Sequence, residues 1–232
     1  IKTKTIVTLG PASNTPSIIS DLIEHGMDVA RINMSHFKSN DDFENIIKII
    51  RDESNKKGKH IGVLVDLAGP KIRLDLKHTG KSVNIEKNNV YSLGFGKNNH
   101  IKINTNIKFK EINMDDSYVK IDDGKITFKV IEAKGNNLIV RALDRGILLD
   151  RKGVNFPGVE LAINPLTDVD EKHLLLAIKN KVDWLALSFV RKSSDINPIL
   201  KIYKRQNIFI PVIAKIEKPE AIKNLDSIID VF

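Results

Sequence analysis

Five short apolar runs, separated by segments of helical period, confine this chain to an α/β fold with parallel strands. Parallel neighbours need a crossover of a dozen or more residues, and a helix usually supplies it. The runs are Thr3 to Leu9, Asp28 to Met34, Ile61 to Asp66, Asp183 to Phe189 and Pro211 to Ile216. After the first, Pro16 fits the opening turn of a helix with the apolar stripe Ile18, Ile19, Leu22 and Ile23, and Gly26 falls just past its end. After the second, Ser39 or Asn40 caps a helix with Asp41 and Asp42 in its first turn and Phe43, Ile46, Ile47 and Ile50 on its buried face. Thr167 and Asp170 form a capping box for a helix with Leu174, Leu175 and Ile178 on its apolar side. Ser193 or Ser194 caps the next helix, and Pro219 opens a further one through Ile222 and Leu225. SIIDVF (227–232) reads as the approach to a sixth strand. No Gly-x-Gly-x-x-Gly or Walker loop is present to indicate a nucleotide-binding open sheet. The predicted fold is therefore α/β, a partial TIM (β/α)8 barrel comprising its first five-eighths.

The pattern changes between residues 74 and 154, where short alternating segments are rich in Asn, Lys and Gly. In SYVKIDDGKITFKVIE (117–132), Ile126, Phe128 and Val130 alternate with Lys125, Thr127 and Lys129, and Asp123-Gly124 suits a tight antiparallel turn. A small all-β lid domain, β-barrel-like, is predicted over 74–154. It would be inserted between barrel segments 1–73 and 155–232, the latter truncated near strand six.

Composition removes several function classes. The chain has 232 residues and no cysteine, which excludes disulfides, thiolate catalysis and Cys-based zinc sites. It has no apolar stretch of about 18 residues, so no membrane helix is expected. No signal peptide is visible, although residue 1 at the edge of a strand is compatible with a leader having been removed. The net charge is +8 (37 basic and 29 acidic residues), more than half of it within 74–154. The basic residues are not interleaved with aromatics and no docking motif accompanies them, so nucleic acid is not an expected partner. A solvated lysine-rich surface and attraction of anionic substrates are the remaining readings.

The polar strand ends carry the chemistry. VLVDLAGPKIR (63–73) ends a buried run in Asp66, turns at Gly69-Pro70 and continues with Lys71 and Arg73. In a strand, residues two apart share a face. Arg31, Asn33 and Ser35 thus oppose Ile32 and Met34, and Lys215 and Glu217 oppose Ala214 and Ile216. Asp66 and Ser188 stand at the matching ends of their own strands. Inward polar groups are costly unless paired or bound to something. Cations Arg31, Lys71, Arg73 and Lys215 against carboxylates Asp66 and Glu217 suit a multiply anionic substrate with a divalent cation, the parts that phosphoryl transfer uses. His36 is the histidine near this mouth, either a solvated loop residue or a nucleotide contact. His25, His60, His78, His100 and His173 lack metal-ligand spacing, and Trp184 is expected in the core.

TKTIVTLGPAS (3–13), ARINMSH (30–36), DLAGPKIR (66–73), GVNFPG (153–158), LSFVRK (187–192) and AKIE (214–217), in this order, resemble the motifs of pyruvate kinases over essentially the whole chain. The family chain is roughly twice as long, so the resemblance is to its N-terminal half. It implies transfer of the phosphoryl group of phosphoenolpyruvate to ADP, giving pyruvate and ATP in glycolysis, with Mg2+ or Mn2+. By resemblance, Lys215 is catalytic, stabilising the transferring phosphoryl group and the enolate. Arg31 and Ser188 join it at the substrate, and Glu217 is a divalent-metal ligand. Asn33, His36, Arg73 and Lys152 serve the nucleotide. Asn33, Ser35, Asp66 and the Leu67 carbonyl match the monovalent-cation site.

Two departures from the family pattern stand out. The second metal carboxylate belongs to a segment beyond residue 232, so the isolated chain is expected to be inactive, and its open barrel edges to leave it poorly stable. Potassium-dependent members carry Glu where this chain has Lys71 and Thr where it has Leu67. A tethered ammonium there can replace potassium, so K+ is expected to be dispensable. Two alternatives stand beside the kinase: a non-catalytic truncated relic, and a metal-dependent barrel lyase acting on pyruvate-like acids. The resemblance further implies a homotetramer at full length. The location is cytoplasmic, or a plastid if a leader has been removed.

Overall fold

A computed structural model gives the structure of the chain. It describes every residue except Ile1, Lys38, Lys97, Lys108, Asn113, Met114, Gly158 and Ala162, and only the backbone of His36, Phe109, Lys110, Glu111 and Glu160. The chain forms two compact units, residues 1–70 with 164–232, and residues 71–163.

The first unit starts with strand β1 (Ile6–Leu9), helix α1 (Pro16–Glu24), β2 (Val29–Asn33), α2 (Asn40–Lys57) and β3 (Gly62–Leu67). Ser39 caps α2, its side chain accepting from the Asp42 amide, and Gly58 closes it in a left-handed conformation. Phe43, Ile46, Ile47 and Ile50 are all buried, which is the stripe that the 3.6-residue period places inward. On α1, Ile19 and Ile23 are buried. Each of the six residues of β3 is buried, as befits a strand with both faces covered.

Among the described residues, the second unit holds ten strands. They are β4 (Ser82–Ile85), β5 (Val90–Gly94), β6 (Ile101–Lys102), β7 (Phe109–Ile112), β8 (Tyr118–Ile121), β9 (Ile126–Lys134), β10 (Asn137–Ala142), β11 (Gly146–Leu149), β12 (Val154–Asn155) and β13 (Val159–Leu161). Six form one sheet in the order β12-β8-β9-β10-β5-β6, and β11-β4 and β13-β7 form pairs. β8 and β9 pair antiparallel from Ile121↔Ile126. The loop between them holds Asp122, Asp123 and Gly124 at positive φ, so the Asp-Gly signal marks a true hairpin turn. Ile126, Phe128 and Val130 point into this unit's own apolar core.

The chain then resumes the first unit with α3 (Asp168–Lys179), β14 (Trp184–Leu187), α4 (Asn197–Gln206), β15 (Val212–Ala214), α5 (Pro219–Lys223) and α6 (Leu225–Ile229). The five strands of this unit lie in the order β1-β2-β3-β14-β15, every neighbour parallel. α3 opens on the predicted capping box, with the Thr167 hydroxyl and Asp170 satisfying each other's amides.

Five expectations change. The helix that Pro219 opens ends at Lys223 with Ile222 62% exposed, and Leu225 begins α6 instead. SIIDVF is not a strand approach: Ser227, Ile228 and Ile229 lie in α6, because a short apolar run fits a helix and a strand equally. Ser193 and Ser194 sit inside a 3-10 turn, Ser193–Ile196, and α4 begins after it. Trp184 is 42% exposed at the start of its strand, not in the core. On α3, Leu174 is buried but Leu175 is exposed, and Leu176 and Ala177 take the inner face instead.

Candidate active site

The C-terminal ends of β2, β3, β14 and β15 bring a compact polar cluster together. In-register pairing places Asn33 beside Asp66, and Asp66 beside Ala186, one turn of the pleat from Ser188. The Lys215 amide donates to the Leu187 carbonyl at 3.0 Å, which fixes the position of Lys215 next to that of Ser188.

Asp66 anchors the cluster. Its side chain is 3% exposed, and a carboxylate so buried needs charged or hydrogen-bonding partners. Arg31 provides two: Nε donates to Oδ2 at 3.1 Å and Nη2 donates to the same oxygen. Lys215 Nζ lies 3.2 Å from Oδ1 and 3.3 Å from Oδ2. It also donates to Ser188 Oγ at 2.9 Å, and that hydroxyl donates to the Leu67 carbonyl at 2.6 Å. Thr8 Oγ1 accepts from Arg31 Nη1 at 2.7 Å. The Arg31 and Lys215 side chains remain 30% and 27% exposed. One buried anion thus holds two half-buried cations facing solvent, where their donors can meet an anionic group.

Glu217 borders the cluster, its Oε1 3.3 Å from Lys215 Nζ and its Oε2 accepting from the Phe189 amide at 3.0 Å. Among the described residues no group of three or more His, Asp or Glu can hold a metal ion alone. A small hard cation takes one or two protein carboxylates and completes its shell with phosphate oxygens and water. Glu217 fits as one such donor.

Asn33 and Ser35 stand where β2 ends. The Asn33 side chain accepts from the Ser35 amide at 3.0 Å. Ser35 is in a 3-10 turn, Met34–His36, so the strand alternation that grouped it with Arg31 and Asn33 stops before it. The His36 side chain is outside the described residues. In the second unit, Arg73 Nη1 donates to the Arg151 carbonyl at 2.9 Å and Lys152 Nζ pairs with Asp122 at 3.0 Å. The two are neighbours through the backbone, with Arg73 bridged antiparallel to Gly153. Lys71 is exposed.

Sequence reasoning missed Thr8, Phe189 and a second duty of Asp170. Besides capping α3, Asp170 accepts from the Gly69 amide at 3.3 Å. Gly69 sits at φ +67°, and a Cβ there would lie 3.0 Å from the Ser188 carbonyl and 3.1 Å from the Phe189 ring. Gly69→Ala is therefore expected to destabilise the protein by about 1–3 kcal/mol. A fall in the urea midpoint would register it, and an unchanged midpoint would contradict the close approach.

The family described as "Pyruvate kinase, barrel domain" matches residues 1–232. A pyruvate kinase of Corynebacterium efficiens is 36% identical over 240 residues, covering 100% of this chain and 49% of that protein. One of Mycobacterium tuberculosis is 36% identical over 233 residues, covering 99% of this chain and 49% of that protein. One of Sporosarcina psychrophila is 34% identical over 241 residues, covering 99% of this chain and 40% of that protein. The chain spans about half the length of such curated relatives, or less. A match that runs from the first residue to the last takes in every strand end of the cluster, and the chain belongs to the pyruvate kinase family.

Proposed function

We propose that this chain is the N-terminal half of a pyruvate kinase, which transfers the phosphoryl group of phosphoenolpyruvate to ADP. The observation that carries the reading is the pair of cations, Arg31 and Lys215, held side by side on the buried Asp66 with Glu217 at their edge. Phosphoryl transfer is catalysed by positioning and by charge stabilisation, and these residues supply both. Arg31 holds the substrate phosphate. Lys215 faces the transferring phosphoryl group and the enolate oxygen, with Ser188 orienting its ammonium. By the family resemblance, Arg73, His36 and Lys152 are assigned to the nucleotide phosphates, and Asn33 to the border of that site. Those nucleotide-side cations favour a kinase over a lyase on pyruvate-like acids.

Mg2+ or Mn2+, when bound, neutralises phosphate charge, and Glu217 is its donor in this chain. The parallel sheet is proposed as the first part of a (β/α)8 barrel, with 74–154 as a lid domain between 1–73 and 155–232. The site of action is the cytoplasm, the assembly a homotetramer, and neither nucleic acid nor membrane is a partner. No helix among the described residues is long and apolar enough to cross a membrane. The relatives named above are bacterial and give the plastid alternative no support.

A lactate-dehydrogenase-coupled assay tests the reading. The chain joined to its C-terminal half turns over phosphoenolpyruvate and ADP, and the isolated 232-residue chain does not. Lys71, with Asn33, Ser35, Asp66 and Leu67, is proposed to stand where other members place potassium. Activity of the full-length enzyme should change less than about twofold when K+ is replaced by a bulky organic cation, a tethered charge substituting for a free one. A strong loss would overturn the assignment of Lys71.

A further inference from the structure

Phe189 follows Ser188 at the end of β14 and adopts φ +57°, the left-handed region. A bulky aromatic residue rarely enters that region, and where one does, the surroundings must hold it there. Three elements do so. From the end of β3, Gly69 comes so close that a Cβ would lie 3.1 Å from the Phe189 ring. From beyond β15, the Lys218 ammonium lies over that ring, 5.3 Å from its centroid. The third is Glu217, whose Oε2 accepts from the Phe189 amide at 3.0 Å.

We infer that Phe189 is a positioning residue for the divalent-cation site, its left-handed backbone fixing the Glu217 carboxylate in the orientation that receives the metal. The inference rests on the proposed role of Glu217. With β14 anchored before Phe189 and Val190 buried after it, an extended or helical φ at Phe189 is reached only by tilting the 188–189 peptide plane, and its N–H then leaves Oε2. The carboxylate would then rotate freely or fall back on the Lys215 ammonium, which already lies 3.3 Å from Oε1. Outer hydrogen bonds of this kind orient metal-binding carboxylates, and their loss typically costs about 10- to 100-fold in metal affinity.

Backbone and ring separate by substitution. Phe189→Gly removes the ring but adopts positive φ readily, whereas Phe189→Val, β-branched, resists it. Mn2+ binding to the full-length protein is titrated by the paramagnetic resonance of free Mn2+. The Val variant is expected to bind about 10-fold more weakly and the Gly variant within about threefold of wild type. Wild-type affinity in the Val variant, or a tenfold loss in the Gly variant, overturns the inference. If the Val variant fails to fold, Phe189→Asn, which enters positive φ, is compared with Phe189→Leu, which resists it, and equal Mn2+ affinity in the two overturns the inference. Glu217→Gln tests the underlying reading separately: it should abolish tight Mn2+ binding. Unchanged binding there removes Glu217 from the site, and the role of Phe189 with it.

Discussion

Replacing Lys215 by Met in the full-length enzyme is expected to lower kcat by about 10³-fold, with a much smaller effect on KM for phosphoenolpyruvate. The asymmetry follows from the cluster. Arg31 keeps its bonds to Asp66 and Thr8 without Lys215, so the phosphate keeps its proposed binding partner. What disappears is the ammonium proposed to face charge developing during transfer, and such a group contributes mainly in the transition state. The side chain is long and only 27% exposed, wedged between Asp66, Ser188 and Glu217. Lys215→Arg is not expected to restore the rate, because a planar guanidinium cannot reproduce a compact ammonium that contacts oxygens of three residues at once. A fall in kcat of less than about tenfold for the Met variant would remove Lys215 from the chemistry.

The largest stability effect is expected at Asp66. Asp66→Ala leaves Arg31 and Lys215 facing one another without the anion between them. Breaking a buried ion pair by deleting one partner costs about 3–5 kcal/mol. Both cations retain some exposure and can turn towards water, which places the expected loss near the lower end, about 3 kcal/mol. Ser188 keeps its bond to the Leu67 carbonyl, so the strand pairing itself survives. Chemical denaturation of the variant and wild type measures this directly. A loss below about 1 kcal/mol, the usual worth of exposed pairs, would show that Asp66 does not hold the cluster together.

The parts of this picture that were legible in the sequence are those set by local period and capping. Arg31 and Asn33 alternate with Ile32 and Met34, and the structure buries Ile32 and Met34. Thr167 and Asp170 stand three apart before an apolar run and form the box that this spacing implies. Phe43, Ile46, Ile47 and Ile50 repeat at helical spacing and are all buried. Contacts between distant segments have no such local signature. Nothing near Asp170 signals that its second oxygen holds the Gly69 amide, 101 residues away in sequence. Thr8 meets Arg31 only because β1 and β2 pair in parallel register, Thr8 beside Arg31. The left-handed turn at Phe189 carries no glycine, the usual marker of such a turn, so its backbone was unreadable from composition. SIIDVF failed for the opposite reason. Its apolar residues are too few to distinguish a period of two from one of 3.6, and α6 follows from where the chain packs.

The central claim is that the Asp66-anchored cations serve phosphoryl transfer from phosphoenolpyruvate. It is tested most directly by the coupled assay on the full-length protein, wild type and Lys215→Met side by side, with phosphoenolpyruvate binding measured on both. The expected result is ADP-dependent pyruvate formation by wild type, and a Met variant that still binds phosphoenolpyruvate but turns over about 10³-fold more slowly. A wild-type protein that forms no pyruvate, or a Met variant as fast as wild type, would contradict it.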